Sequence, residues 1–387
     1  MSTPIVTCDA KKKAPSRRLF CIRPVAAGAY SRRMAAGPFF LNGFSLRLAA
    51  LAGGFFAVLS GAADADPGPG DAAFGLPPLA VESAATEGQV ALGKKLFFDA
   101  RLSEGRQMAC ATCHVPAEGF SQTDRARPDG NDGRPLRRNA PTLLNVAWHG
   151  PFFHDGRSAT LEAQALVPMT EPREFGAPSL DAVVARVSGL EDYRGRFEAA
   201  FGRSVSAETL GAALAAYERS LVAADSPFDR WFFGKDEDAL PPAAVRGFRL
   251  FRGKAECAAC HRIGATSAPF TDGKFHDTGI AWRNAQKAVP DEIDRGREEA
   301  TGRAFDRYRI KTPSLRNVAL MAPYMHDGSV KTLGEAVRFY ADGGVPHKTL
   351  SPLIGPIDLS NKEIADLVAF LKSLTSPHAA ALGRVKP

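Results

Sequence analysis

Two copies of one short pattern carry the chemistry of this chain: Cys110-Ala-Thr-Cys113-His114 and Cys257-Ala-Ala-Cys260-His261. Cys-x-x-Cys-His is the attachment pattern for a c-type haem. Residues i, i+3 and i+4 share one face of a helical turn. Two thiols on that face can form thioethers to the edge of a macrocycle while the imidazole reaches its iron. Two copies predict two covalently bound haems, and with them electron or peroxide chemistry. Other readings of the pattern fit less well. A zinc ribbon sets its paired Cys-x-x-Cys knuckles about 15–20 residues apart, whereas Cys110 and Cys257 are 147 apart. A thioredoxin-type redox pair has no use for the following His. Four of the six cysteines lie in the motifs, and the other two, Cys8 and Cys21, fall in an expected leader. The mature chain would keep no thiol for a disulfide.

The elements that must hold these motifs are duplicated. The segment from Asn139 to Leu161 matches the segment from Lys311 to Leu333 at a constant offset of 172. Each half runs from a haem motif through Pro-[Ser/Thr]-Leu-x-Asn and a His-Asp-Gly turn to a helix that begins near Thr-Leu. Leu210, Leu214, Tyr217 and Leu221 recur at helical spacing, as do Leu333, Val337 and Tyr340, then Ile364, Leu367, Phe370 and Leu371. Alternating strand patterns are scarce. Gly- and Pro-rich stretches at 125–141 and 263–303 read as long loops around haem edges. The expected fold is mainly α: two cytochrome-c-like haem domains in tandem with long haem-wrapping loops. Residues 66–230 would form the N-terminal domain with the catalytic haem. Residues 231–387 would form the C-terminal domain with an electron-transfer haem, the junction lying between Ser226 and Pro242.

The two halves differ where a sixth iron ligand would stand. Fourteen residues after His326 comes Tyr340; fourteen after His154 comes Pro168, which has no side-chain ligand atom. The comparison suggests an iron closed by Tyr340 in the second half and an open one in the first. An open ferric haem binds peroxide and a closed one relays electrons. Met169, one position on, is an alternative ligand in the first half, and His326 in the second. Tyr340 is also at core spacing from Leu333 and Val337. No His lies between His114 and Trp148, which excludes a distal His from the loop after the first motif.

The formal charge of +7 resides wholly in residues 1–65, which carry nine Lys/Arg and two acids; the remaining chain has 40 of each sign. The basic balance is therefore no argument for nucleic acid, and no nucleic-acid motif is present. Leu48 to Ser60 is a 13-residue apolar run, preceded by Arg47 and followed by Ala63-Asp64-Ala65. That is the build of a cleaved signal peptide, too short to span a bilayer unaided. It places the mature protein in the periplasm with no stable membrane span. Met34 is a plausible true start.

An ordered set of segments resembles the bacterial dihaem cytochrome c peroxidase/MauG family across about residues 85–376. It comprises Cys113-His-Val-Pro-Ala-Glu-Gly-Phe120, Arg138-Asn139-Ala-Pro-Thr142, Asp155-Gly-Arg157, Gln164, Glu174, Ser226-Pro-Phe-Asp-Arg230 and Ala322-Pro-Tyr-Met-His-Asp-Gly328. The resemblance implies that His114 and His261 are proximal ligands, Gln164 and Glu174 the distal-pocket pair that handles peroxide, and Tyr340 the distal ligand of the second haem, as in MauG-type members. It also implies a Ca²⁺ site from Asn139 with the backbone carbonyls of Met321 and Pro323. Oxygen donors suit that ion. The implied activity is reduction of H2O2 at the first haem, with electrons from a small cytochrome c or cupredoxin relayed through the second. An alternative is MauG-like oxidation of residues on a partner protein, as in the related dihaem enzymes of methanobactin gene clusters. A non-enzymatic dihaem electron carrier is the reading from another class. One position departs from the family: His154 stands where well-known members carry an inter-haem Trp. Either His154 relays electrons, or Trp148 substitutes, or His154 is a hydrogen-bonded turn residue. His149, His276 and His347 have no assigned role, and the oligomeric state is open.

Overall fold

The computed structural model describes residues 73–79 and 85–385; the expected leader, with Cys8, Cys21 and Met34, lies outside them. The chain is mostly helical, as its spacing predicts. In the first half come α1 (Glu87–Phe97), α2 (Cys110–Cys113), α3 (Leu161–Thr170), α4 (Leu180–Ser188), α5 (Arg196–Phe201) and α6 (Ala207–Arg219). Then follow α7 (Pro227–Phe232), α8 (Pro242–Arg252), α9 (Ile280–Ala285), α10 (Glu298–Thr301), α11 (Leu333–Ala341), α12 (Asn361–Lys372) and α13 (His378–Gly383). The named strands among the described residues are β1 (Phe275–His276) and β2 (Ile310–Lys311), paired antiparallel with Phe275 opposite Lys311. No helix of the described residues is long and apolar enough to cross a membrane.

Each half is built on one close helix crossing. In the first, α1 lies across α6, where Leu92, Leu96 and Phe97 meet Leu210, Leu214 and Tyr217. In the second, α8 lies across α12, where Phe248 and Phe251 meet Leu367, Phe370 and Leu371. A glycine makes each crossing possible: a Cβ on Gly93 would stand 1.8 Å from Ala213 O, and one on Gly247 1.9 Å from Asp366 O. Only a residue without Cβ admits backbones that close. Phe228 of α7 packs into the second core, and α13 crosses back to put Ala379 in the first. Arg316 and Asp229, almost wholly buried and 2.8 Å apart, bind α7 to the segment after β2.

The sequence repeat is also a repeat in space. Asn145 and Asn317 both take a left-handed backbone, as do Phe153 and Met325, and Gly150-Pro151 and Ala322-Pro323 are both cis. Bridges form at Phe152 with Ser158 and at Tyr324 with Val330. The halves exchange a reciprocal pair of backbone bonds: Asn139 N–H donates to His326 O and Lys311 N–H to His154 O, each at 2.8 Å. Arg138 clamps the junction, donating to Asp294 at 2.7 Å and to Asp155 at 2.6 Å.

Candidate haem and peroxide site

Each Cys-x-x-Cys-His folds as one tight turn, α2 in the first half and a 3₁₀ turn over Cys257–Ala259 in the second. The backbone N–H of His114 donates to Cys110 O and that of His261 to Cys257 O, both at 2.9 Å. The turn therefore sets thiols and imidazole on one side, as the spacing requires. His114 Nδ1 lies 3.2 Å from Phe120 O, and His261 Nδ1 2.9 Å from Phe270 O. A carbonyl accepts, so each Nδ1 carries the proton and each Nε2 keeps its lone pair free for a metal. Burial lowers both imidazole pKa values, which keeps them neutral. The described cysteines are all free of disulfides.

Both motifs open on one cavity of about 2430 Å³. A single ligand pocket commonly holds about 300–1,000 Å³, so this space is sized for more than one large group. With thiols, oriented imidazoles and such a cavity, the residues fit two covalently held haems.

The cavity that His114 lines is also lined by Gln164, Pro168, Glu171, Glu174 and Arg157, and the charge of Glu174 reaches Cys113. Helix α3 presents Gln164 and Pro168 one turn apart, its start fixed by Thr160, whose hydroxyl accepts from Ala163 N–H at 3.2 Å. Met169 turns the other way and is buried in the first core. It is not among the residues that line the cavity, since neighbouring helical residues point about 100° apart. Glu174 follows α3, its N–H held by Glu171 O at 3.0 Å. Burial, reinforced by the negative charge of Glu171 and opposed by Arg157, pushes its carboxyl up to about 7. A carboxyl poised there can give or take a proton at neutral pH.

Around His261 the lining includes Tyr340 of α11, with Leu333, Val337 and the loop from Pro352 to Leu359. Tyr340 does not join the core, although its spacing allowed that; it keeps 38 % of its surface open. Burial and the neighbouring Cys260 and Cys257 push its phenol up to about 12. His276 donates to Asp272 at 3.0 Å and approaches Cys260 Sγ at 3.9 Å. These three could crowd a metal ion, but the sulfur is the one a haem thioether uses.

In the lining of the same cavity, His154 Nε2–H donates to Asn139 O at 3.2 Å. Burial, Arg138 and His326 push its pKa down to about 3, so the ring is neutral. Trp148 lines the cavity with its indole N–H on Pro77 O at 2.7 Å. Asn139 donates from Nδ2 to Met325 O at 2.8 Å, while its Oδ1 is buried without a partner. Met321 and Pro323 line the same cavity.

Three residues of this region escaped the sequence reading. Glu171 tunes Glu174, and its signal was the acid pair three residues apart. Lys311 lines the cavity with its ammonium on Pro151 O, and its signal was its repeat position opposite Asn139. Glu218 is buried beside Cys110, with Oε2 unpartnered and its carboxyl pushed up to about 8; nothing in its local sequence marks it.

A family model for di-haem cytochrome c peroxidase matches residues 87–237, and one for cytochrome c matches residues 244–375. Among curated relatives, a methylamine utilization protein MauG from Methylorubrum extorquens is 43 % identical over 76 % of this chain and 80 % of its own. A cytochrome-c peroxidase, IdrP1, from Denitromonas iodatirespirans is 34 % identical over 78 % of this chain and 85 % of its own. Among solved structures, a MauG-like protein associated with microbial copper homeostasis superposes with a TM-score of 0.69 at 35 % identity, covering 79 % of this chain and 95 % of that one. Paired c-type haem motifs on duplicated helical domains, and relatives this similar over most of their length, give one conclusion: the chain belongs to the di-haem cytochrome c peroxidase/MauG family.

Proposed function

We propose that the chain works as a dihaem peroxidase whose first haem, on His114, is left open for H2O2 and whose second, on His261, is closed by Tyr340. The observation that carries this is the pairing of repeat-related positions on one cavity: Pro168 offers it no ligand atom where Tyr340 offers a phenol oxygen, and a buried Glu174 near Cys113 shares the lining. A haem held at His114 would supply the iron on which peroxide binds and its O–O bond breaks. The chain supplies the proton handling. Glu174, ionised, takes the proton from the peroxide oxygen nearer the iron and returns it to the departing one. Gln164, one helical turn from Pro168, orients the peroxide by hydrogen bonding. A haem held at His261 would take Tyr340 as a hard oxygen donor, its phenol proton displaced by the metal, which would favour the higher oxidation states of iron over Fe(II). His154 and Trp148, both in the cavity lining, would be the relay positions.

Ca²⁺ fits the orphaned Asn139 Oδ1 together with the carbonyls of Met321 and Pro323. The junction between residues 66–230 and 231–387 is where it would act. The leader reading places the protein in the periplasm, where a small cytochrome c or cupredoxin would supply electrons. A second reading, peroxide-driven oxidation of residues on a partner protein, is favoured by Tyr340 and by the similarity to MauG.

Low-temperature EPR of the ferric protein tests the proposal: one high-spin and one low-spin haem are expected, with only the high-spin signal lost on adding H2O2. Two low-spin signals indifferent to peroxide would leave only an electron carrier. Turnover with reduced cytochrome c, compared with oxidation of proteins encoded alongside, separates the two enzymatic readings.

A further inference from the structure

Asn139 and Lys311 are counterparts in the repeat, and so are the loops they face. Lys311 N–H and Asn139 N–H make the reciprocal 2.8 Å bonds to His154 O and His326 O. Asn139 lines the cavity together with Met321 and Pro323 of one such loop and donates to Met325 O just beyond it. Lys311 faces the matching loop of His149, Gly150 and Pro151, and both loops carry the cis-proline. At the Asn139 end a buried oxygen has no partner. At the Lys311 end the ammonium donates to Pro151 O at 2.7 Å. Among the described residues Lys311 forms no ion pair, although Asp155 lies near enough to favour its charge. Lys311 is half-buried in the cavity lining, and desolvation there pulls its pKa down to about 8. A half-buried cation without an ion-pair partner is costly and survives where the surrounding structure uses the charge.

We infer that Lys311 is a tethered cation, its ammonium filling at the repeat-related position the place that Ca²⁺ takes between Asn139 and the carbonyls of Met321 and Pro323. The inference rests on the calcium reading above. Asparagine brings an oxygen to its loop and so needs an external cation. Lysine brings the positive charge itself and needs none. The junction between the halves then has two cation-bridged loops. One depends on dissolved metal, and the other is covalently guaranteed.

The experiment uses the full holoprotein and three variants: Asn139→Lys, Lys311→Met and Lys311→Arg. Calcium per chain is measured by atomic emission after dialysis, and haem spectra and thermal midpoint are followed with and without EGTA. Wild type should hold a single ion, and EGTA should lower its midpoint. Asn139→Lys should hold none, keep both haem spectra and become insensitive to EGTA. Lys311→Met, saturated with calcium, should show a drop in midpoint like that of EGTA-treated wild type, and Lys311→Arg should recover most of it. Wild type without calcium would sink the calcium reading and this inference with it. Wild type with calcium would leave that reading intact, while this inference alone falls on either of two results. One is an Asn139→Lys protein that still binds the ion or loses its haem spectra. The other is a Lys311→Met protein that matches wild type, or that Lys311→Arg resembles in its defect.

Discussion

In the proposed mechanism Glu174 is the group on which the peroxide chemistry turns, and its environment sets a number that can be measured. Burial and the charge of Glu171 hold the carboxyl near pH 7. The mechanism needs the ionised form, so the reaction of ferric protein with H2O2 should rise with pH. With a midpoint of about 7, about a tenth of the molecules are ionised at pH 6 and about nine tenths at pH 8, a roughly tenfold range in rate. Removing the base by Glu174→Gln should cost about 10²–10⁴ in that rate and flatten the remaining profile. Glu171→Gln takes away the charge that raises Glu174, so it should move the midpoint towards acid while leaving the plateau above pH 8 unchanged. The assay is stopped-flow mixing of ferric protein with H2O2 between pH 5.5 and 8.5, with both haem spectra checked first. A wild-type rate that is flat with pH, or a Glu174→Gln protein with intact spectra that reacts within threefold of wild type, would refute the reasoning.

Other outcomes follow from the packing. Glu218 is buried with a raised carboxyl pKa of about 8, so the unfolded chain loses this proton first as pH rises. Stability should fall from about pH 4.5 to pH 8, by up to about 3 kcal/mol at pH 7; Glu218→Gln should flatten that slope in urea titrations, and an unchanged slope would refute the assignment. Gly247→Ala puts a Cβ against Asp366 O and should separate α8 from α12, costing on the order of 1–3 kcal/mol by thermal unfolding; a neutral effect would mean that the crossing yields. Arg316→Met strands the buried Asp229 carboxylate and should cost about 3–5 kcal/mol, with Arg316→Met/Asp229→Leu recovering much of it. Tyr340→Met should raise the midpoint potential of the second haem, since a thioether favours Fe(II); an unchanged potential would show that Tyr340 is not its ligand.

Much of this protein is written locally. Covalent haem attachment needs three residues within five positions, and the repeat offset of 172 is visible from residue identities alone. The difference between Pro168 and Tyr340 is equally legible, because a missing ligand atom is a property of the residue type. Helical spacing also located α6, α11 and α12, since an amphipathic period is a local signal. It could not say which way Tyr340 faces: Leu333 and Val337 enter or border the second core, while Tyr340, on the same spacing, lines the cavity. Nor could it separate Met169, which is buried in the first core, from Pro168 beside it.

What the tertiary structure alone decided is where charge is withdrawn from water. Nothing in their local sequence sets Glu174 and Glu218 apart from other glutamates, yet the fold raises both carboxyls and leaves one oxygen of Glu218 without a partner. Lys311 differs from other lysines because Pro151, 160 positions away, supplies its acceptor. Residue type and spacing determine which bonds a side chain can form. Burial and field come from segments far apart in the chain, and only folding brings those together.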